Sequence, residues 1–171
     1  MPSYHIQEVI KKTCRGVAIA SVPTAYLPGL DLAVVGGSWA YMINEIAKEH
    51  HVTIQGDTGK FVGVLASGIG AYWVGSQIIN KVLLGILSLF TFGVAYFVGA
   101  PVLNVLLNGY FTWSVGKKCD KIFADTSFSS AGQEIAALII KAVCHMPTAG
   151  EMKDFFSESG LSLKEIKNMV D

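Results

Sequence analysis

The stretch Thr53–Gly63, TIQGDTGKFVG, holds the residues whose types and order come nearest to a known chemistry. Gly56, Gly59 and Lys60 follow one another as in a phosphate-binding loop, where backbone N–H groups and a lysine cradle a nucleotide's phosphates. That loop needs a glycine, four residues, then Gly-Lys and a Ser or Thr. With Lys60 as its lysine, the first position is Ile54 and the last is Phe61. The preceding NEIAKEHH reads as the end of a helix, so no strand leads into the loop. A glycine-containing turn, with Asp57 or Thr58 capping the next helix, accounts for these residues better than nucleotide binding does.

The remaining candidates are weaker. His50 and His51 are adjacent and leave a helix in different directions, unlike a metal-binding pair four residues apart. Cys144 and His145 are sequence neighbours, but a nucleophile and its base are paired in space, not in sequence. His5 is isolated, and Glu45 with Glu49 is an ordinary pair on one helix face. The sequence therefore nominates no catalytic residue, no cofactor-binding residue and no metal ligand, and a non-enzymatic protein without a cofactor is expected. Cys14, Cys119 and Cys144 are odd in number and irregularly spaced, which points to a reducing compartment rather than a disulfide framework. The polar start, MPSYHIQEVIKKTCRG, has no apolar core or cleavage site of a secretory signal.

Charge says more than motifs do. Thirteen basic and thirteen acidic residues cancel, so no field favours a nucleic-acid partner. Charged residues are only 15% of the 171-residue chain, against a usual share of about 25%. The deficit is concentrated in one place: between Phe61 and Gly116 the only charge is Lys81. A helix needs about 20 mostly apolar residues to cross a hydrocarbon layer of ~30 Å, and residues 61–80 meet that length. Residues 82–116 exceed it, and Gly99-Ala100-Pro101 is expected to break or kink them.

The favoured reading is an all-α protein with a Gly-rich, membrane-embedded helical hairpin. Membrane lipid is then a partner. The alternative is the buried core of a soluble helical bundle or oligomer, supported by Ser67, Gln77, Asn80, Asn104 and Asn108, which need partners in lipid. Gly63, Ser67, Ala71 and Gly75 recur every four residues, forming a small-residue strip suited to close helix packing, either within one subunit or in a homo-oligomer. Asn80, Asn104 and Asn108 could line a polar path between helices. Lys60 precedes the block and Lys117, Lys118 and Lys121 follow it, a bias that fits both chain ends on the cytoplasmic side of an inner membrane.

Around the block lie soluble-type helices. Residues 3–26 start amphipathic and become apolar, Pro28 and Gly29 supply a turn, and Asp31 is a candidate N-cap. The second helix places Leu32, Val35, Trp39, Met42, Ile43 and Ile46 at helical spacing. After Gly116, Ser130–Gln133, Thr148–Glu151 and Ser162–Glu165 match capping boxes, predicting helices over about 131–145, 149–157 and 163–170. The first of these is expected to bury Ile135, Leu138, Ile139 and Val143. The organisation expected is a helical domain over 1–127, with its apolar block at 61–116, and a helical tail over 128–171.

Two blocks carry a family resemblance. AIASVPTAYLPGLDLAVVGGSWAYMINEIAKEH resembles the proline–glycine turn and following helix, ending MIxEIAKxYG, of a bacterial YcjF-type, GTPase-associated domain of unknown function. FVGAPVLNVLLNGYFTWSVGKKCDKIF is similar to that family's Gly-rich hairpin, with Asn104, Thr112, Gly116 and Phe123 on its pattern. The resemblance covers roughly residues 16–123. Departures are LFTFGVAY, where IPGxG is frequent, and His50–His51, where Tyr-Gly is usual. The resemblance implies a helical, membrane-associated module that works with a GTPase acting in trans. Three functions follow as expectations: self-assembly that organises or shapes a membrane, a pore or transport element, and an adaptor for a GTPase.

Overall fold

The computed structural model describes residues 3–24, 30–54, 100–125, 137, 139–142, 145 and 147–170. All of the regular structure among them is helical, as the apolar periodicity predicts. Five helices are resolved: α1 (Tyr4–Thr24), α2 (Leu30–Glu49), α3 (Ala100–Phe123), α4 (Ala149–Ser159) and α5 (Leu163–Val170). The block 61–99, with Gly63, Ser67, Ala71, Gly75 and Asn80, and the whole GDTGK stretch lie outside the described residues.

Local chemistry sets the helix ends. The Ser3 hydroxyl accepts from the Ile6 N–H at 3.2 Å and opens α1. α2 begins at Leu30, so Asp31 falls inside its first turn instead of capping it. α3 begins at Ala100, which puts Pro101 in its first turn, where its missing N–H has no intrahelical partner to lose. Thr148 caps α4 with the reciprocal Glu151 contacts of a capping box, and Gly160 ends α4 in the left-handed region at φ 67°. Ser162 and Glu165 repeat the same reciprocal arrangement at α5.

α3 is the centre of the fold. It packs most extensively on α1, then on α2, and α4 and α5 close over it. Every residue from Val105 to Gly116 is buried. A helix that is apolar all round must be covered all round, and here protein neighbours provide the cover. Residues 102–116, which the charge gap assigns to the second arm of a hairpin, are thus the core helix of a bundle. Among the described residues, no helix is long and apolar enough to cross a membrane. Gly116 permits the closest approach: a Cβ there would lie 2.7 Å from Cγ1 of Ile10 and 3.1 Å from Sδ of Met42.

The core joins tail to bundle. Trp39, Met42, Ile43 and Ile46 of α2 meet Ile6, Ile10, Cys14 and Val17 of α1 around α3, while Phe155 of α4 and Ile166 of α5 belong to the same cluster. Tyr110, Trp113 and Phe155 stack edge-on or tilted, with ring centroids 5.9–6.1 Å apart. The expected tail helix at 131–145 is seen only in part: residues 139–142 are helical, and Ile139 and Ala142 are buried. Ile135, Leu138 and Val143 lie outside the described side chains.

Cross-helix contacts give the directions. Ser21 meets Asn104 and Asn108, and Ile10 lies against Gly116, so α1 runs antiparallel to α3. Trp39 meets Thr112 and His50 meets Asp120, so α2 runs parallel to α3. His5 and Glu49 close the same end, at 3.7 Å. The chain therefore leaves α2 at the end that holds Asp120 and re-enters at the end that holds Ala100, about 30 Å away at 1.5 Å per helical residue.

Candidate functional site

Most of the buried polar groups form one ladder along α3. Asn104, Asn108, Thr112, Gly116 and Asp120 recur every four residues and so share a face. The Asn104 amide donates to the Ser21 carbonyl at 3.2 Å, and the Asn108 amide donates to the Ser21 hydroxyl at 2.8 Å. The Ser21 hydroxyl in turn donates to the Val17 carbonyl at 2.7 Å. Thr112 donates to the Asn108 carbonyl at 2.6 Å and accepts from the Trp39 indole N–H at 2.9 Å. At the far end His50 Nε2 lies 2.9 Å from Asp120. The ladder ties α1, α2 and α3 into one register, because each rung loses its partner if a helix slides.

Two of the three residues expected to line a polar path are thereby brought together. Asn104 and Asn108 are 3.4 Å apart, Asn108 is fully buried, and both are engaged by Ser21. Their geometry is that of helix-to-helix fastening. The third residue, Asn80, is outside the described region, as is the small-residue strip.

A cleft of about 250 Å³ opens between α1, α3 and α4, lined by Glu8, Lys11, Trp113, Lys117 and Glu158 among others. Its charges are spent on one another. Glu158 accepts from the Trp113 indole at 3.0 Å and pairs with Lys117 at 3.0 Å, and Lys11 pairs with Glu8 at 3.7 Å. Two acids and two bases leave no net charge to attract an ionic ligand.

The other singled-out residues have structural places too. Burial pushes the Cys14 thiol far above its ordinary range and the Cys119 thiol up to about 12, so neither supplies a thiolate at neutral pH. His145 Nε2 lies 2.9 Å from Glu151. Partial burial opposes ionisation of Glu151, but the Thr148 N–H, the Thr148 hydroxyl and His145 outweigh it and hold the carboxyl below its usual range. No group of three His, Cys, Asp or Glu able to hold a metal ion occurs among the described residues.

His51 has a role the sequence reading missed. It adopts the left-handed conformation, φ 57°, just past the end of α2. The Val52 N–H bonds the Ala47 carbonyl at 2.8 Å and the His51 N–H bonds the Lys48 carbonyl at 3.0 Å, the paired bonds of a Schellman cap. Glycine normally takes that position, because other residues bring Cβ against a carbonyl there. The available signal was the departure itself: His51 stands where the resembled family usually has glycine.

The partnerships of Ser21 and Trp39 with α3 were also missed, since they join residues 83, 87 and 73 positions apart. The four-residue recurrence of polar and small residues along α3 was the clue to one side of them. Comparisons with protein-family models, with curated proteins and with solved structures found no match to this chain.

Proposed function

We propose that this chain is a non-enzymatic, membrane-associated helical protein that self-assembles to organise or shape a membrane. One observation carries the reading: the length of the apolar segment 61–99, whose only charge is Lys81, set against the length of the bundle. α3, the longest described helix, has 24 residues. At 1.5 Å per residue it is about 36 Å long, whereas 39 helical residues would extend about 58 Å. One further helix laid along the bundle would therefore leave a substantial apolar remainder. Two arms on either side of Lys81, over 61–80 and 82–99, have lengths at or near what a lipid layer requires.

The small-residue strip at Gly63, Ser67, Ala71 and Gly75 supplies a face for self-association where lipid removes the hydrophobic drive between helices. The buried, hydrogen-bonded Asn104 and Asn108 favour this structural reading over a pore. A GTPase acting in trans is the partner class that the family resemblance supplies. Because Phe155 and Ile166 belong to the shared core, a test of that partner needs surface changes on α4, such as Lys153→Glu, rather than removal of the tail.

The test is flotation of the purified full chain with lipid vesicles, followed by mass measurement of the detergent-solubilised particle. The reading expects the chain to float with the vesicles and to weigh more than one 18.3 kDa copy. A chain that stays at the bottom of the gradient as a monomer without detergent would sink it.

A further inference from the structure

We infer that the cleft between α1, α3 and α4 is a binding site for a small zwitterion, a molecule that carries a primary ammonium and an oxyanion close to one another. The cleft's volume of about 250 Å³ lies just below the ~300–1,000 Å³ of ligand pockets in general, so its occupant is of amino-acid size. Every residue that lines it belongs to a described helix. Two sources share the required chemistry: free amino acids, and the headgroup of an amine-bearing phospholipid.

Charge selects the ligand class. Glu8 and Lys11 form one ion pair, within α1, and Lys117 and Glu158 form the other, between α3 and α4. The cleft thus has an ion pair on each side and no net charge. A lone anion or cation meets as much repulsion as attraction there. A zwitterion lying antiparallel to either pair is attracted at both of its ends. The side chains of the two pairs are 33–44% exposed, so they are open to a ligand yet partly withdrawn from water, which strengthens their fields.

The pairs keep hydrogen-bonding capacity for such a ligand. Glu158 takes both the Trp113 indole N–H and the Lys117 ammonium on Oε2, each at 3.0 Å, which leaves Oε1 to accept from a ligand's ammonium. Glu8 meets Lys11 through Oε1 at a loose 3.7 Å, which leaves Oε2. An ammonium has more N–H donors than one carboxylate uses, so Lys11 and Lys117 can each still donate to an oxyanion. Packing holds these groups in place. A Cβ at Gly160 would lie 2.7 Å from Cε of Lys11, so the lysine stem runs along the turn between α4 and α5, where glycine leaves it room. Ile10 and Trp113, both buried but for an edge, supply apolar surface for the ligand's carbon atoms.

The test is isothermal titration calorimetry of the full chain, in an uncharged detergent at neutral pH and low salt. The probes are serine for a free amino acid, glycerophosphoethanolamine for a lipid headgroup, ethanolamine for the cation alone and glycerol phosphate for the anion alone. Saturable heat is expected with serine or glycerophosphoethanolamine, the tighter of the two naming the source. The single-charge probes should bind weaker by about tenfold or more. Glu158→Gln keeps an acceptor for the Trp113 N–H but leaves the cleft with a net positive charge, and Lys11→Gln leaves it with a net negative one. Each should weaken zwitterion binding by about tenfold. The first should also turn the site toward glycerol phosphate and the second toward ethanolamine, opposite shifts that a general loss of folding cannot produce. The inference is overturned by no saturable heat with either zwitterion, by single-charge probes that bind as well as the zwitterions, or by variants that leave the selectivity unchanged. The cleft has this role whether or not the chain joins a membrane, so none of these results touches the membrane reading.

Discussion

Gly116→Ala tests the packing of α3 more directly than any other single change. Replacing a mid-helix glycine by alanine normally stabilises a helix by about 1 kcal/mol. At position 116 the new methyl would stand 2.7 Å from Cγ1 and 3.1 Å from Cδ1 of Ile10, and 3.1 Å from Sδ of Met42. Cγ1 is bonded to the branched Cβ of a residue stiff at χ1, so it cannot swing away as a flexible tip would. Overpacking of this kind costs about 1–3 kcal/mol. The two terms oppose each other and leave a net loss of up to about 2 kcal/mol. For a chain of this size that lowers the unfolding midpoint by up to roughly 8 °C.

The assay is thermal unfolding of the detergent-solubilised full chain, followed by far-ultraviolet circular dichroism. Two companion variants make the result decisive. Gly37→Ala meets open space, so it should raise the midpoint through the helix term alone. Ile10→Ala removes the clashing atoms at its own cost of about 2–5 kcal/mol. In that background Gly116→Ala should change sign and become stabilising. If Gly116→Ala is no worse than Gly37→Ala, or has the same effect with and without Ile10, the proposed contact between α1 and α3 is wrong.

Three further outcomes are expected. His51→Gly relieves a non-glycine left-handed residue and should stabilise the chain by about 1 kcal/mol in the same unfolding assay, whereas His51→Ala should not. Thr112→Val keeps the shape but strands the buried Trp39 indole N–H, costing about 1–3 kcal/mol, and Trp39→Phe in the same chain should recover part of that loss. The carboxyl of Glu151 is held below its usual range in the folded state, so its contribution is present above the unfolded value and is lost as pH falls through the folded one. Unfolding midpoints measured from neutral to acid pH should therefore fall less steeply in Glu151→Gln than in the unaltered chain.

Helix existence and type were legible in the sequence because they rest on short-range chemistry. The stripe from Val35 to Ile46 and the Thr148–Glu151 and Ser162–Glu165 capping boxes each depend on residues within one or two turns of one another. A local pattern needs no knowledge of the rest of the chain. Boundaries were less legible: Asp31 lies within a turn it was expected to cap. Energy differences at helix ends are small, and packing beyond the segment shifts them.

The sequence by itself determined an all-α class, little charge and an apolar run around Lys81. Tertiary structure alone decided what covers the apolar residues. In the sequence, Val102–Gly116 is assigned to a lipid-facing arm ahead of a core helix, and local pattern cannot separate the two because the hydrophobic effect rewards removal from water whatever the covering medium. The surrounding α1, α2, α4 and α5 make it a core helix. Likewise, Asn104 and Asn108 could have lined a path or fastened helices. Hydrogen bonds to partners more than 70 residues away make them fasteners, and such partnerships exist only once the chain has folded.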